Sequence, residues 1–311
     1  MVFYKFSAYR EDISMLQKQI IDFSEFASYG FTKKATVYHE DSVSPKAVLL
    51  YFHGGGLLYG NREDLPEKHL RTFTEKGYVI AAMDYPLAPA VTLPGILEDV
   101  LDSVNRYEEV LTAAGLVAEA ETQNAFLPGK IPYFLWGRSA GAYLALLAGA
   151  SEKLAVKPAG ILSYYGYGFL TDGWYDASSL WYNSLPEVPE SCLQAIPSEP
   201  LCTGPLETHY SVYVYARQKG LWKDLIYSGR EKFFFIDYSL RLKDALQGPL
   251  FCAHSTGDND VPFTEFNALA AKYRPEKYIA AAGDHDFDRD EERPFTDELL
   301  NATIQFMEKR L

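Results

Sequence analysis

Cysteine is scarce in this chain: Cys192, Cys202 and Cys252 are all there is in 311 residues. Three thiols cannot build a disulfide framework, and with no CxxC pair they offer no zinc site, so they read as reduced structural thiols. Long apolar runs are missing as well. Nowhere do about 18 apolar residues follow one another, which excludes the pattern of a membrane-spanning helix. The opening stretch MVFYKFSAYREDISMLQKQII scatters charge where a signal peptide would be apolar, so a cytoplasmic location is expected. Basic charge is in short supply: 29 Lys and Arg against 42 Asp and Glu leave a formal charge of −13. With no Lys/Arg cluster to offset it, that field argues against a nucleic-acid partner and against work at an anionic lipid surface. HExxH, dinucleotide-loop and phosphate-loop patterns are also absent, so neither a metal nor an organic cofactor is expected. What is present is 48% hydrophobic and 23% charged residues, the balance of a globular protein long enough to bury a sizeable core.

Apolar runs of strand length alternate with segments of helical period, which predicts a βα series around a mostly parallel sheet. Strands are expected at Thr32–His39, Lys46–Phe52, Tyr78–Asp84, Tyr133–Trp136, Gly160–Tyr164, Leu250–His254 and Lys277–Ala281. Helices are expected at Leu65–Lys76, stopped by Gly77, and at Pro94–Leu111, with further ones following Ser139 to Ala150 and at Leu206–Gln218, Thr264–Tyr273 and Thr296–Lys309. Residues 166–248 break the rhythm. They show no βα unit, yet hold three of the four tryptophans and the cluster Phe233-Phe234-Phe235. A loop of that length is implausible in a compact domain, so an inserted, largely helical cap is expected there, with 1–165 and 249–311 forming the main domain.

Three motifs carry chemistry. Gly137-Arg138-Ser139-Ala140-Gly141 lies between an expected strand and an expected helix, where a tight turn presents a serine hydroxyl to a substrate. His53-Gly54-Gly55-Gly56 ends another strand, and successive glycines let backbone N–H groups approach a ligand oxygen without side-chain obstruction. A base for the serine should follow it in the chain. His209 falls in the insert and His254 at a strand end, whereas His285 sits in a loop just beyond the last strand and is preferred. For the acid, Ser255-Thr256-Gly257-Asp258-Asn259-Asp260-Val261-Pro262 offers Asp258 and Asp260; the second, beside Val261-Pro262, could instead cap the following helix.

On these residues the chain resembles the α/β-hydrolases, and within them the hormone-sensitive-lipase-like esterases that carry HGGG and a nucleophile elbow. The run Asp84-Tyr85-Pro86-Leu87-Ala88-Pro89, with Pro94 and Glu98-Asp99, is similar to that family's between the two motifs. The resemblance implies a triad of Ser139, Asp258 and His285, an oxyanion hole from the N–H groups of Gly55, Gly56 and Ala140, and no cofactor. It departs at Arg138, where an acidic residue is common, and at Ala142, where a glycine is. The Asp258 loop looks more like that of prolyl-oligopeptidase-type serine peptidases. The expectation is a serine carboxylesterase acting on small, soluble, short-chain esters. A serine peptidase and a non-catalytic hydrolase-fold binding protein are the alternatives. Aromatic residues of the cap are expected to wall an apolar pocket, although they would suit a homo-oligomer interface equally.

Overall fold

The computed structural model describes residues 16–26, 31–41, 43–117, 131–170, 173–229 and 235–311. The first fifteen residues of the opening stretch, and Phe233 and Phe234, lie outside them. The continuous apolar runs become the middle of an eight-stranded sheet. In β3 (Ala47–Phe52), β4 (Tyr78–Met83), β5 (Tyr133–Arg138), β6 (Gly160–Tyr164) and β7 (Leu250–Ser255) every residue is buried, as strands covered on both faces must be. Strand β8 (Glu276–Ala280) alternates half-buried and exposed positions before the buried Ala280, the signature of a sheet edge. Two longer strands, β1 (Leu16–Phe26) and β2 (Phe31–Glu40), form a hairpin at the other edge. The order is β1-β2-β4-β3-β5-β6-β7-β8; β2 runs antiparallel to both its neighbours and the remaining pairs are parallel.

Strand alternation divides the core into two layers. Val48, Leu50 and Phe52 face α2 (Leu93–Asn105), α4 (Ala140–Gly149) and α7 (Phe263–Tyr273), while Leu49 and Tyr51 face α1 (Glu67–Glu75) and α8 (Pro294–Glu308). Helix α4 is buried on all sides, which its AGAYLALLAG sequence allows and an amphipathic one would not. The single helix expected over Pro94–Leu111 is two: α2 ends at Asn105 and α3 (Tyr107–Ala113) begins past Arg106, whose φ of −113° interrupts the helical ladder. Between β6 and β7 the described residues add no strand to the sheet. They hold α5 (Leu206–Lys219), α6 (Trp222–Ile226) and short 3-10 turns. No helix among the described residues is long and apolar enough to cross a membrane. The chain has the α/β-hydrolase fold, with the glycine loop after β3, the serine turn after β5 and the loops after β7 and β8 all leaving the carboxyl edge of the parallel strands, where such sheets bind ligands.

Candidate active site

Ser139 is the one residue between β5 and α4, and it holds φ 53° and ψ −117°, a strained backbone for a side chain of any size. Two glycines make the turn possible. A Cβ on Gly137 would lie 2.1 Å from the Gly141 carbonyl carbon, and one on Gly141 would lie 1.9 Å from the Phe52 carbonyl oxygen. The turn is therefore pressed both on itself and on the end of β3. The Ser139 N–H donates to Tyr164 O on the neighbouring strand at 2.9 Å, which locks the residue in place.

The loops after β7 and β8 bring their residues to this serine. His285 Nε2 lies 2.8 Å from Ser139 Oγ, and His285 Nδ1 lies 2.6 Å from Asp258 Oδ2. With a proton on Nδ1, Nε2 is left to accept from the serine hydroxyl. The Asp258 carboxylate is fully buried and fully occupied. Its Oδ1 accepts from the N–H groups of Asp260 and Val261 at 2.9 and 2.8 Å, while Oδ2 also has His254 Nε2 at 3.2 Å. Burial alone would raise its pKa, but the charge of His285 and the bonds from His254 and His285 hold it well below the usual carboxylate range. Burial works to lower His285 in turn; Asp258, followed by Asp260 and Asp286, outweighs it and pushes the imidazole up to about 9.

The residues singled out in the glycine loop lie against the serine. Gly54, Gly55 and Gly56 line the same pocket as Ser139 and His285, and a Cβ on Gly54 would lie 3.4 Å from Ser139 Cβ. Gly55 and Gly56 have φ of 101° and 60°. Behind the loop, Trp222 Nε1 of α6 donates to Gly56 O at 2.8 Å. Ala140 is the first residue of α4, so its N–H has no partner within the helix. The pocket itself has a volume of about 340 Å3.

Two expectations are corrected. Asp260 caps no helix: α7 starts after Pro262, and the carboxylate instead takes the hydroxyl of Tyr213 on α5 at 2.8 and 2.9 Å. The reach of a long α5 residue across the pocket decides its place, which a local turn pattern does not show. The pocket is also less apolar than its aromatic surroundings suggested. Of the described residues in 166–248, only Gly204, Leu206 and Tyr213 line it, and Asp64, Arg138, Asp260, Asp286 and Arg289 join them. Trp174 and Trp222 pack inward on Tyr167 and Tyr175 instead.

Sequence reasoning missed a buried network under the turn. Arg138 reaches Asp288 Oδ1 at 3.2 Å; the same carboxylate receives Tyr165 OH at 2.9 Å and faces His69 Nε2 at 2.8 Å. Burial alone would raise the pKa of Asp288, but Arg138 and the bond from His69 depress it strongly. The Tyr165 ring stands edge-on to His285, with centroids 4.8 Å apart. The available signal was an acid three residues after His285, facing a buried arginine in the turn. Likewise His254, read as a structural strand-end histidine, is buried but shares Asp258 with His285.

Residues 49–185 match a family model described as alpha/beta hydrolase fold. Among curated proteins, the chain is similar to the non-reducing polyketide synthase adrD of Penicillium roqueforti, 28% identical over 168 residues, which are 52% of this chain. The aligned part is 6% of that much longer protein, so the chain spans a small fraction of the curated relatives it matches. Among solved structures, an alpha/beta hydrolase superfamily protein from Enterococcus faecalis is 22% identical over 94% of this chain and 99% of its own, with a TM-score of 0.74. A hyperthermophilic esterase from the archaeon Pyrobaculum calidifontis is 17% identical over 94% of this chain and 83% of its own, with a TM-score of 0.64. At these identities the likeness is one of fold.

Proposed function

We propose that this chain, which has the α/β-hydrolase fold, is a serine carboxylesterase. The observation that carries the reading is the hydrogen-bonded chain from Ser139 Oγ through His285 to Asp258, at 2.8 and 2.6 Å, on a strained turn. Ser139 attacks the ester carbonyl while His285 takes its proton and then delivers it to the departing alcohol, with Asp258 fixing the tautomer. The N–H groups of Gly55, Gly56 and Ala140 stabilise the tetrahedral oxyanion; the open glycine loop beside the serine and the first N–H of α4, which has no partner within the helix, support that role. Water then hydrolyses the acyl-enzyme. Residues 166–248 serve as a cap, a role supported by Gly204, Leu206 and Tyr213 in the pocket wall and by the paired backbone bonds between Gly60 and Gly204. A pocket of about 340 Å3 favours small, short-chain esters in the cytoplasm, where the three free thiols stay reduced. Esterase activity named for the structurally similar Pyrobaculum protein is consistent with this.

The test is a fluorophosphonate label followed by a panel of p-nitrophenyl esters and dipeptide amides on the pure protein. Labelling at Ser139 with turnover of esters is expected. A protein that takes no label is a binding module, and preference for amides over every ester makes it a peptidase.

A further inference from the structure

Asp260 is left without work by the mechanism above, and its placement is costly for a mere strut. It is buried beside the reaction centre, caps nothing, and is held by the Tyr213 hydroxyl on both oxygens and by Arg217, whose Nε lies 3.4 Å from Oδ1 and whose guanidinium donates to Asp260 O at 3.1 Å. Tying α5 to the β7–α7 loop needs no buried charges, since apolar packing would do so without the desolvation penalty. The carboxylate also faces the pocket that Ser139 and His285 share. Its Oδ2 lies 4.0 Å from His285 Nε2, the nitrogen that meets the serine. That is too far for a hydrogen bond but is the span one bridging water covers at about 2.8 Å to each side. A carboxylate oxygen offers two lone-pair directions, so Oδ2 can hold Tyr213 and one more donor. The other pocket acid beside the imidazole, Asp286, is engaged instead by Arg289 Nε at 2.7 Å.

We infer that Asp260 is a second working carboxylate of this site, accepting a hydrogen bond from the water that His285 activates to release the acyl group from Ser139. The inference rests on the serine-esterase reading. Once Ser139 is acylated its hydroxyl no longer occupies His285 Nε2, and the water takes that place. One O–H of the water points at Nε2 and the other at Asp260 Oδ2, which aims an oxygen lone pair at the acyl carbon. The water loses a proton to Nε2 as its oxygen bonds to the acyl carbon. The bond to Ser139 Oγ then breaks, and the same proton passes from Nε2 to Oγ. Asp260 takes no proton at any point; it orients the water.

Stopped-flow hydrolysis of p-nitrophenyl acetate separates acylation, read as the nitrophenolate burst, from deacylation, read as the steady rate. Asp260→Asn should acylate at nearly the wild-type rate and deacylate about 10- to 100-fold more slowly, so that acetyl-Ser139 accumulates and is seen by intact mass. Tyr213→Phe, which keeps the carboxylate but removes its anchor, should shift the two rates the same way to a smaller degree. It decides the matter alone if Asp260→Asn does not fold. Acylation and deacylation slowed in parallel, or deacylation unchanged, overturns the role of Asp260. A wild-type protein that forms neither acyl-Ser139 with the ester nor phosphonyl-Ser139 with a fluorophosphonate overturns the esterase reading instead.

Discussion

At Ser139 two local conditions meet, a strained backbone and a hydroxyl 2.8 Å from an imidazole, and each has a consequence. Ser139→Ala should fold normally, because the hydroxyl faces a pocket and supports no packing, yet lose several orders of magnitude in ester turnover. Residual kcat/KM within about tenfold of wild type would place the nucleophile elsewhere. Asp258→Asn should cost about 10³–10⁴-fold in kcat, because an amide cannot hold Nδ1–H of His285 in the needed tautomer. It should also move the pH dependence. Activity needs the neutral imidazole, whose pKa burial lowers but the carboxylates of Asp258, Asp260 and Asp286 raise by more, to about 9. The kcat/KM of the wild type should therefore still be rising above the ordinary imidazole range, and Asp258→Asn should draw that limb to lower pH by removing the largest of those negative charges. A wild-type plateau already reached by about pH 6.5 would contradict the assignment.

Among the elements, legibility in the sequence followed the range of the forces that form them. The strand–turn–helix around Ser139 was readable because its determinants are neighbours: an all-buried YFLWGR strand, glycines two residues either side of the serine, and an Ala-Leu helix. Strand β1 was not, because LQKQIIDFSEF mixes charge and apolar residues on an edge and bulges between Asp22 and Ser24. Asp258 and Asp260 were both visible as acids, but what separates them is tertiary: backbone N–H groups and two histidines around one, α5 side chains around the other. The same distinction predicts which glycines matter. Gly141→Ala would drive a methyl into the carbonyls of Phe52 and His53 and should destabilise the fold by about 1–3 kcal/mol or more, with ester turnover lost. Gly173→Ala, where an added Cβ meets nothing within 4 Å, should change stability by no more than about 0.5 kcal/mol. Urea denaturation midpoints of the two variants measure the contrast, and equal losses would mean that the turn is not pressed against β3 in solution.

For the molecule as a whole, the proposed cap role of residues 166–248, supported by Gly204, Leu206 and Tyr213 in the pocket wall, would limit the size of what can reach Ser139. Aromatic side chains from that segment, Trp174, Tyr175 and Trp222, pack edge-to-face with Tyr167 behind the pocket, while its lining carries charge at Asp64, Asp286 and Arg289. An acyl chain entering a space of about 340 Å3 gains about 0.8 kcal/mol for each methylene it buries, until the apolar part contributed by Tyr59, Leu206 and Tyr213 is filled. Beyond that point further methylenes meet charged rim or water and gain nothing. A formal charge of −13 is expected to disfavour work at anionic lipid surfaces. Across p-nitrophenyl esters of rising chain length, kcat/KM should therefore climb at first and reach its maximum within about C2 to C6, with little turnover of a triglyceride emulsion. Efficiency that keeps rising through long chains, with activation at the oil–water interface, would mean that residues 166–248 open as a lid, and that the pocket seen here is its closed form.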